Sequence, residues 1–340
     1  MAYHFKNLVF EGGGVKGIAY VGAMEVLDRE GILNNIERVA GTSAGAMVAV
    51  LVGLKYSAKE VKDVLWHLDF NNFMDKSNFF VGNTTRLLKE YGWYKGDFFR
   101  KTMADLIQRK TGNGEITFGE LAATKEYREI YLVGANLSTG LSEVFSHKTT
   151  PEMKVADAAR ISMSIPLFFA SVKGGKNKKH IYVDGGLLEN YPIKTFDQVE
   201  FIANANSIRR TEYYETINTK CVQKGSAKTE YVYNKETLGF RLDSSDEISM
   251  YLGKGSTEVK EIKNFLGYTK ALVTTLIDFQ NNVHLHSDDW QRTIYIDTIG
   301  VGAVDFDISD EKKTDLLNSG KQYTESYLEW YNNDEEKANK

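Results

Sequence analysis

Apolar positions in the first two hundred residues follow two rhythms. Short runs rich in β-branched residues alternate with longer stretches at helical spacing, which predicts βαβ units around a mostly parallel sheet. Asn7–Glu11 (NLVFE) reads as a short buried strand. A glycine-rich turn follows, then a helix over Ile18–Glu30, with Gly31 where a C-terminal cap belongs. Glu37–Ala40 reads as a second strand, and Ala44–Leu54 is apolar on every side, as a helix buried in a core is. Ser57–Glu60 has capping-box spacing, and Val61, Val64, Leu65 and Leu68 continue it at helical period. Ile130–Asn136, Ile181–Asp184 and Phe201–Asn204 read as further strands.

The pattern is weaker beyond that point. Residues 205–255 are rich in charge and tyrosine and lack a clear period, so they read as an insertion or a cover. In Thr257–Val283, Ile262, Phe265, Leu266, Leu272, Leu276 and Phe279 share one helical face. Thr293–Ile299 alternates like a strand, and Ser309 is placed to cap a last helix with Asp310 and Glu311 in its first turn. The predicted organisation is one catalytic core over residues 5–200, an extension over 201–331 that completes or covers the same domain, and a polar, disordered tail over 332–340. The predicted fold class is α/β, with a central sheet flanked by helices in three layers.

With 340 residues, 42% of them hydrophobic and 26% charged, the chain can bury a sizeable core. A net charge of −4 offers no basic patch, which argues against a nucleic-acid partner. The single cysteine, Cys221, rules out an intramolecular disulfide and fits a reducing compartment. No signal peptide is visible, and the longest apolar stretch, Ala44–Leu54, is too short to span a bilayer. The expectation is a soluble cytoplasmic protein, with peripheral membrane association or export by a signal-peptide-independent route also open.

Three motifs carry candidate chemistry. Gly12-Gly13-Gly14-Val15-Lys16-Gly17 lies between a strand and a helix, where successive amides and a helix N-terminus favour negative charge. Gly41-Thr42-Ser43-Ala44-Gly45 follows a strand and precedes a buried helix, the context of a nucleophile elbow, in which small neighbours let a strained turn project the Ser oxygen. Asp184-Gly185-Gly186 ends an apolar strand, where α/β sheets place their active sites. Alone, each has an ordinary explanation as a turn. Together they supply a nucleophile, oxyanion donors and a base.

In their residues and order these motifs resemble the patatin-like phospholipase family, whose marks are G-G-G-x-[KR]-G, G-x-S-x-G and D-G-[GA]. The likeness covers roughly residues 7–200 and extends to Ala159–Phe169 (ARISMSIPLFF) and Asp184–Pro192 (DGGLLENYP). The resemblance implies a metal-free, cofactor-free Ser–Asp dyad with Ser43 as nucleophile and Asp184 as base. It implies oxyanion-hole amides from Gly12, Gly13 and Gly14, with Lys16 close to the same loop; the elbow itself lets the Ala44 amide help hold an oxyanion, and Gly17, Gly41, Gly45, Gly185 and Gly186 are in support. It further implies a phospholipid or lysophospholipid substrate and peripheral contact with a membrane.

Other readings are less well served. A dinucleotide site on Gly12, Gly14 and Gly17 needs an acidic residue at the end of the second strand, where Gly41 and Ser43 stand. A Ser-Asp-His triad through His284 or His286 is possible in order, but Ser43 comes early for an α/β-hydrolase. Acyl transfer through the same dyad and a non-catalytic lipid-binding module also remain open. Phe70, Phe73, Met74, Phe79 and Phe80, and Ile165, Leu167 and Phe168, are core residues or an acyl channel. Lys173, Lys176, Lys178 and Lys179 form a basic turn. Asp305, Asp307, Ser309 and Asp310 lack the glycine of a calcium loop and fit a helix start.

Overall fold

The run Asn7–Phe10 (β1) is apolar on both faces because it lies inside a sheet covered on both sides. In the computed structural model, residues 3–68, 89–175, 179–223, 229–244, 288–303, 305–333 and 339–340 are described, with isolated positions at 87, 262, 267–268, 271–272 and 275–276. The phenylalanine-rich run over 70–80 lies outside the described residues, as do His284, His286, Lys176 and Lys178.

After β1 the chain makes a 3-10 turn and enters α1 (Ala19–Arg29), then β2 (Arg38–Thr42) and α2 (Ala44–Gly53). α3 (Ala58–His67) starts at the expected capping box, with Ser57 and Glu60 each bonding the other's amide. There follow α4 (Asp97–Thr111), α5 (Phe118–Thr124), β3 (Glu129–Asn136), β4 (Leu141–Phe145) and α6 (Val155–Ser162). β5 (Val172–Gly174), β6 (His180–Asp184), α7 (Glu212–Gln223), β7 (Thr237–Asp243), β8 (Thr293–Asp297) and α8 (Asp310–Asn333) follow, and two small two-stranded sheets pair Gly92–Tyr94 with Leu167–Phe169 and Ile208–Arg209 with Tyr233–Asn234. α8 begins where expected, with Ser309 Oγ accepting the Lys312 amide.

Five strands run parallel in the order β8–β7–β1–β2–β3. β3 carries antiparallel β4 along one edge. Its other edge is shared. β2 pairs with residues up to Val133, and antiparallel β6 pairs from Gly134 onward. β2 and β6 therefore meet with their C-terminal ends facing each other in one lane of the sheet.

Strand alternation sorts the core. Leu8, Phe10, Val39, Ile130 and Leu132 pack in one large cluster with residues of α1, α2 and α8. Val9, Ala40 and Tyr131 point to the opposite face, where Tyr191, Ile193, Phe196 and Phe201 cover them. α2 is buried along its whole length, as its apolar sequence requires.

Three expectations meet the structure here. Phe201–Asn204 is not a strand: a 3-10 turn over Val199–Phe201 lets Phe201 stack edge-on against Tyr131 and Phe196. The tail expected to be disordered is packed where it is described, since Asn339 is buried and its side-chain amide donates to the Lys235 carbonyl. On the apolar face expected within 257–283, Ile262, Leu272 and Leu276 are 52%, 40% and 40% exposed and do not join the core.

The segment beyond residue 205 completes the sheet, because β7 and β8 are two of its strands. A buried ion cluster ties it to the core. Arg292 Nη2 lies 2.7 Å from Asp197 Oδ2 and 2.6 Å from Asp289 Oδ1, and the Tyr214 hydroxyl also donates to Asp197. Removing one partner of a buried ion pair is strongly destabilising. Arg292→Met, which leaves two buried carboxylates without the guanidinium between them, is expected to lower stability by about 3–5 kcal/mol in urea unfolding.

Candidate active site

Ser43 follows the last residue of β2 and caps α2, with φ 54° and ψ −126°. A side-chain-bearing residue rarely adopts positive φ, and the surroundings must hold it there. Its amide donates to Ser162 Oγ at 3.0 Å, and its carbonyl accepts the Ala46 amide at 2.9 Å. The neighbouring Thr42 hydroxyl donates to the Glu189 carbonyl at 3.0 Å. The flanking glycines are demanded by close approach: a Cβ on Gly41 would lie 2.2 Å from the Gly45 carbonyl oxygen, and one on Gly45 would lie 2.4 Å from that of Phe10.

Asp184 ends β6, opposite Gly134, the residue next along β3 from the partner of Thr42. The head-to-head lane thus brings together two residues 141 apart in sequence. Ser43 Oγ donates to Asp184 Oδ2 at 2.7 Å, and the Gly186 amide donates to Asp184 Oδ1 at 2.7 Å. Ser43 is 7% exposed and Asp184 3%. Burial pushes the Asp184 carboxyl up to about 7, against the bonds from Ser43 and Gly186, which pull it down.

The glycine loop lies against this pair. A Cβ on Gly12 would sit 3.0 Å from that of Ser43. The Gly12 amide is not a free donor, however, because it bonds the Asn190 carbonyl at 3.0 Å. Among the described residues no acceptor is in range of the amides of Gly13, Gly14 and Ala44, the last at the unsatisfied N-terminus of α2. Lys16 Nζ donates to the Leu242 carbonyl at 3.1 Å and ties the loop to β7. Gly17 and Gly185 allow close packing on Ala44 and on the Val133 carbonyl.

Sequence reasoning passed over a second layer behind the loop. Glu11 is fully buried. Its carboxylate accepts the Leu242 amide at 2.6 Å and Asn190 Nδ2 at 3.2 Å. Burial raises the Glu11 carboxyl above the usual carboxylate range, with the nearby Arg241 guanidinium opposing the rise. Burial also works against the charge on Arg241, but Glu11 and Asp243 keep it protonated. Asn190 donates from the same Nδ2 to the Gly12 carbonyl at 3.2 Å, joining the glycine loop to the segment after Asp184. Glu11 gave one readable signal, a carboxylate ending an apolar strand. Ser162 and Asn190 lay inside the two family-like segments without being singled out.

Among the described residues no histidine bonds Ser43 or Asp184. His180, at the far end of β6, is paired with Asn136. No group of three or more His, Cys, Asp or Glu among the described residues could hold a metal ion. No described helix is long and apolar enough to cross a membrane.

The family model of patatin-like phospholipases matches residues 8–197, a span that contains all three motifs. The chain belongs to the patatin-like phospholipase family. YqhO of Bacillus subtilis is a full-length relative, 29% identical over 331 residues that cover 94% of this chain and 97% of that protein. A protein of Invertebrate iridescent virus 6 named as a lipid hydrolase, 463L, is 26% identical over 190 residues, 56% of this chain and 62% of its own length. VipD of Legionella pneumophila shares the patatin-like fold, with a TM-score of 0.57 at 17% identity over 96% of this chain and 67% of its own.

Proposed function

We propose that the protein is a lipid acyl hydrolase of the phospholipase A or lysophospholipase type, working through a Ser43–Asp184 dyad. The observation that carries this reading is the 2.7 Å bond between the Ser43 hydroxyl and a buried carboxylate. Family membership and the viral relative's name support lipid as substrate.

Ser43 Oγ attacks the ester carbonyl while its proton passes to Asp184 Oδ2. A free carboxylate is a weak base, but one raised to about 7 is matched to a reaction at neutral pH. Charge developing on the carbonyl oxygen is met by the amides of Gly13, Gly14 and Ala44. Asp184 then returns the proton to the departing alcohol oxygen, leaving acyl-Ser43. Water enters, gives a proton to Asp184 and attacks the acyl carbon. Breakdown of that second intermediate reprotonates Ser43 and frees the fatty acid. Fatty-acyl esters reside in bilayers, so peripheral contact with a membrane surface accompanies this chemistry.

A panel of phospholipids and lysophospholipids, read by mass spectrometry, tests the reading. Wild type is expected to release fatty acid and Ser43→Ala none. Wild type that cleaves no member of the panel would overturn it. Fatty-acyl esters of added glycerol would show acyl transfer in place of hydrolysis.

A further inference from the structure

Ser43 has no place of its own in the sheet. Continued by one residue, the β2–β3 register would set Ser43 opposite Gly134, but Gly134 already faces Asp184. The Ser43 amide therefore lacks a ladder acceptor on β3 and turns to Ser162 Oγ, at 3.0 Å. Two residues further on, the Ser164 carbonyl accepts the amide of Asp184 at 2.8 Å. One short segment, Ser162-Met163-Ser164, thus takes a main-chain hydrogen bond from each half of the dyad. Both serines are fully buried.

The segment is itself fixed. Ser164 Oγ donates to the Arg160 carbonyl at 2.7 Å. The buried Arg160 guanidinium donates to Ser164 Oγ, to the Lys95 carbonyl and, at 3.0 Å, to the Ala170 carbonyl. α6 therefore ends in a rigid bracket spanning the gap where β2 and β6 face each other.

We propose that Ser162 and Ser164 are positioning residues that set the distance between Ser43 Oγ and the Asp184 carboxylate. This rests on the dyad reading above. A strained backbone persists only where its surroundings over-determine it. The Ser162 hydroxyl supplies that constraint at the Ser43 amide, and so aims Oγ at Asp184. Ser164 acts through its carbonyl, with its hydroxyl serving only the link to Arg160.

The charged groups on the elements packed against β6 are Asp157 and Arg160 on α6, Glu129 on β3 and Lys173 on β5, with His180 on β6 itself and Glu189 on the turn that follows. None of them hydrogen-bonds its carboxylate. The Ser43 hydroxyl is the side chain that pulls the Asp184 carboxyl down, so a misplaced Ser43 lets it rise further.

The test compares Ser162→Ala, Ser162→Thr and Ser164→Ala in the full chain. Ser162→Ala is expected to lower kcat on a soluble ester roughly 10–100-fold, with KM within about twofold. It is also expected to slow fluorophosphonate labelling of Ser43, and to move the acid limb of the pH profile upward. Ser162→Thr, which keeps the hydroxyl, should recover labelling, and Ser164→Ala, which keeps the carbonyl but loses the link to Arg160, should lose part of the rate without the change at the Ser43 amide. Amide hydrogen exchange at Ser43 should quicken in Ser162→Ala alone. A Ser162→Ala protein with wild-type kcat, acid limb and Ser43 exchange overturns the proposal, as does one whose lost activity only tracks its unfolded fraction. Wild type that fluorophosphonate fails to label would sink the dyad reading instead, and Ser43 exchange would then decide the role of Ser162.

Discussion

Asp184→Asn is expected to lower kcat on the order of 10³–10⁴-fold and, at the same time, to raise the melting temperature at pH 8. Asparagine keeps the shape of the side chain and can still accept the Gly186 amide. It cannot take the Ser43 proton, and among the described residues no histidine is in reach to replace it. The stability effect comes from burial. The native carboxyl is raised to about 7 from an ordinary 3.8, so between those values the folded protein holds a proton that the unfolded chain has released. Stability from this group therefore falls as pH rises through that window, and the penalty is complete above pH 7. Three pKa units correspond to roughly 4 kcal/mol, part of which Asn recovers. The gap in melting temperature between variant and wild type should shrink toward pH 4, where both forms of the protein carry a neutral residue 184. Wild-type kcat/KM should fall on the acid side of pH 7 for the same reason. An Asp184→Asn enzyme with near-normal turnover would remove Asp184 from the chemistry, and one that melts lower than wild type at pH 8 would refute the burial penalty on its carboxylate.

The legible parts of the molecule are those where local pattern and global fold make the same demand. Ala44–Gly53 is apolar all round because it is buried all round, and Gly-Thr-Ser-Ala-Gly sits at the strand–helix junction that its glycines require. β7 is not legible because its sequence, TLGFRLD, carries Arg241 and Asp243, which read as surface residues. They are buried because Glu11, 230 residues earlier, comes to lie beside Arg241 once β1 and β7 pair. Phe201 reads as a strand residue because a short apolar run does not distinguish a strand from a turn that packs on one. Ser162 and Asn190 are ordinary polar residues until the fold brings them to Ser43 and Gly12, 119 and 178 positions away. The partner of the Gly12 amide is illegible for a related reason: the carbonyl it bonds belongs to Asn190, and only the closed structure brings the two together.

Gly14→Ala is expected to lower kcat on the order of 10²–10³-fold, with little change in KM. Gly14 has φ +55°, and a Cβ there would lie 1.8 Å from the Ala303 carbonyl oxygen. That oxygen cannot move aside cheaply, since it accepts the Val15 amide at 3.0 Å and so pins the loop. An added methyl group must therefore push the loop away from Ala303, and the amides of Gly13 and Gly14 move with it. Donors aimed at a developing oxyanion lose most of their value when displaced, because their worth lies in being placed before the charge forms. Gly13→Ala is the matched control. The nearest atom to its added carbon is Leu242 Cδ1 at 2.6 Å, the end of a movable side chain, and a far smaller loss is expected. Steady-state kinetics and the rate of Ser43 phosphonylation, measured on both variants, separate loop displacement from loss of substrate binding. If Gly14→Ala raised KM while leaving kcat and phosphonylation intact, the loop would be a wall of the binding site, and the oxyanion would have to be stabilised from α2 alone.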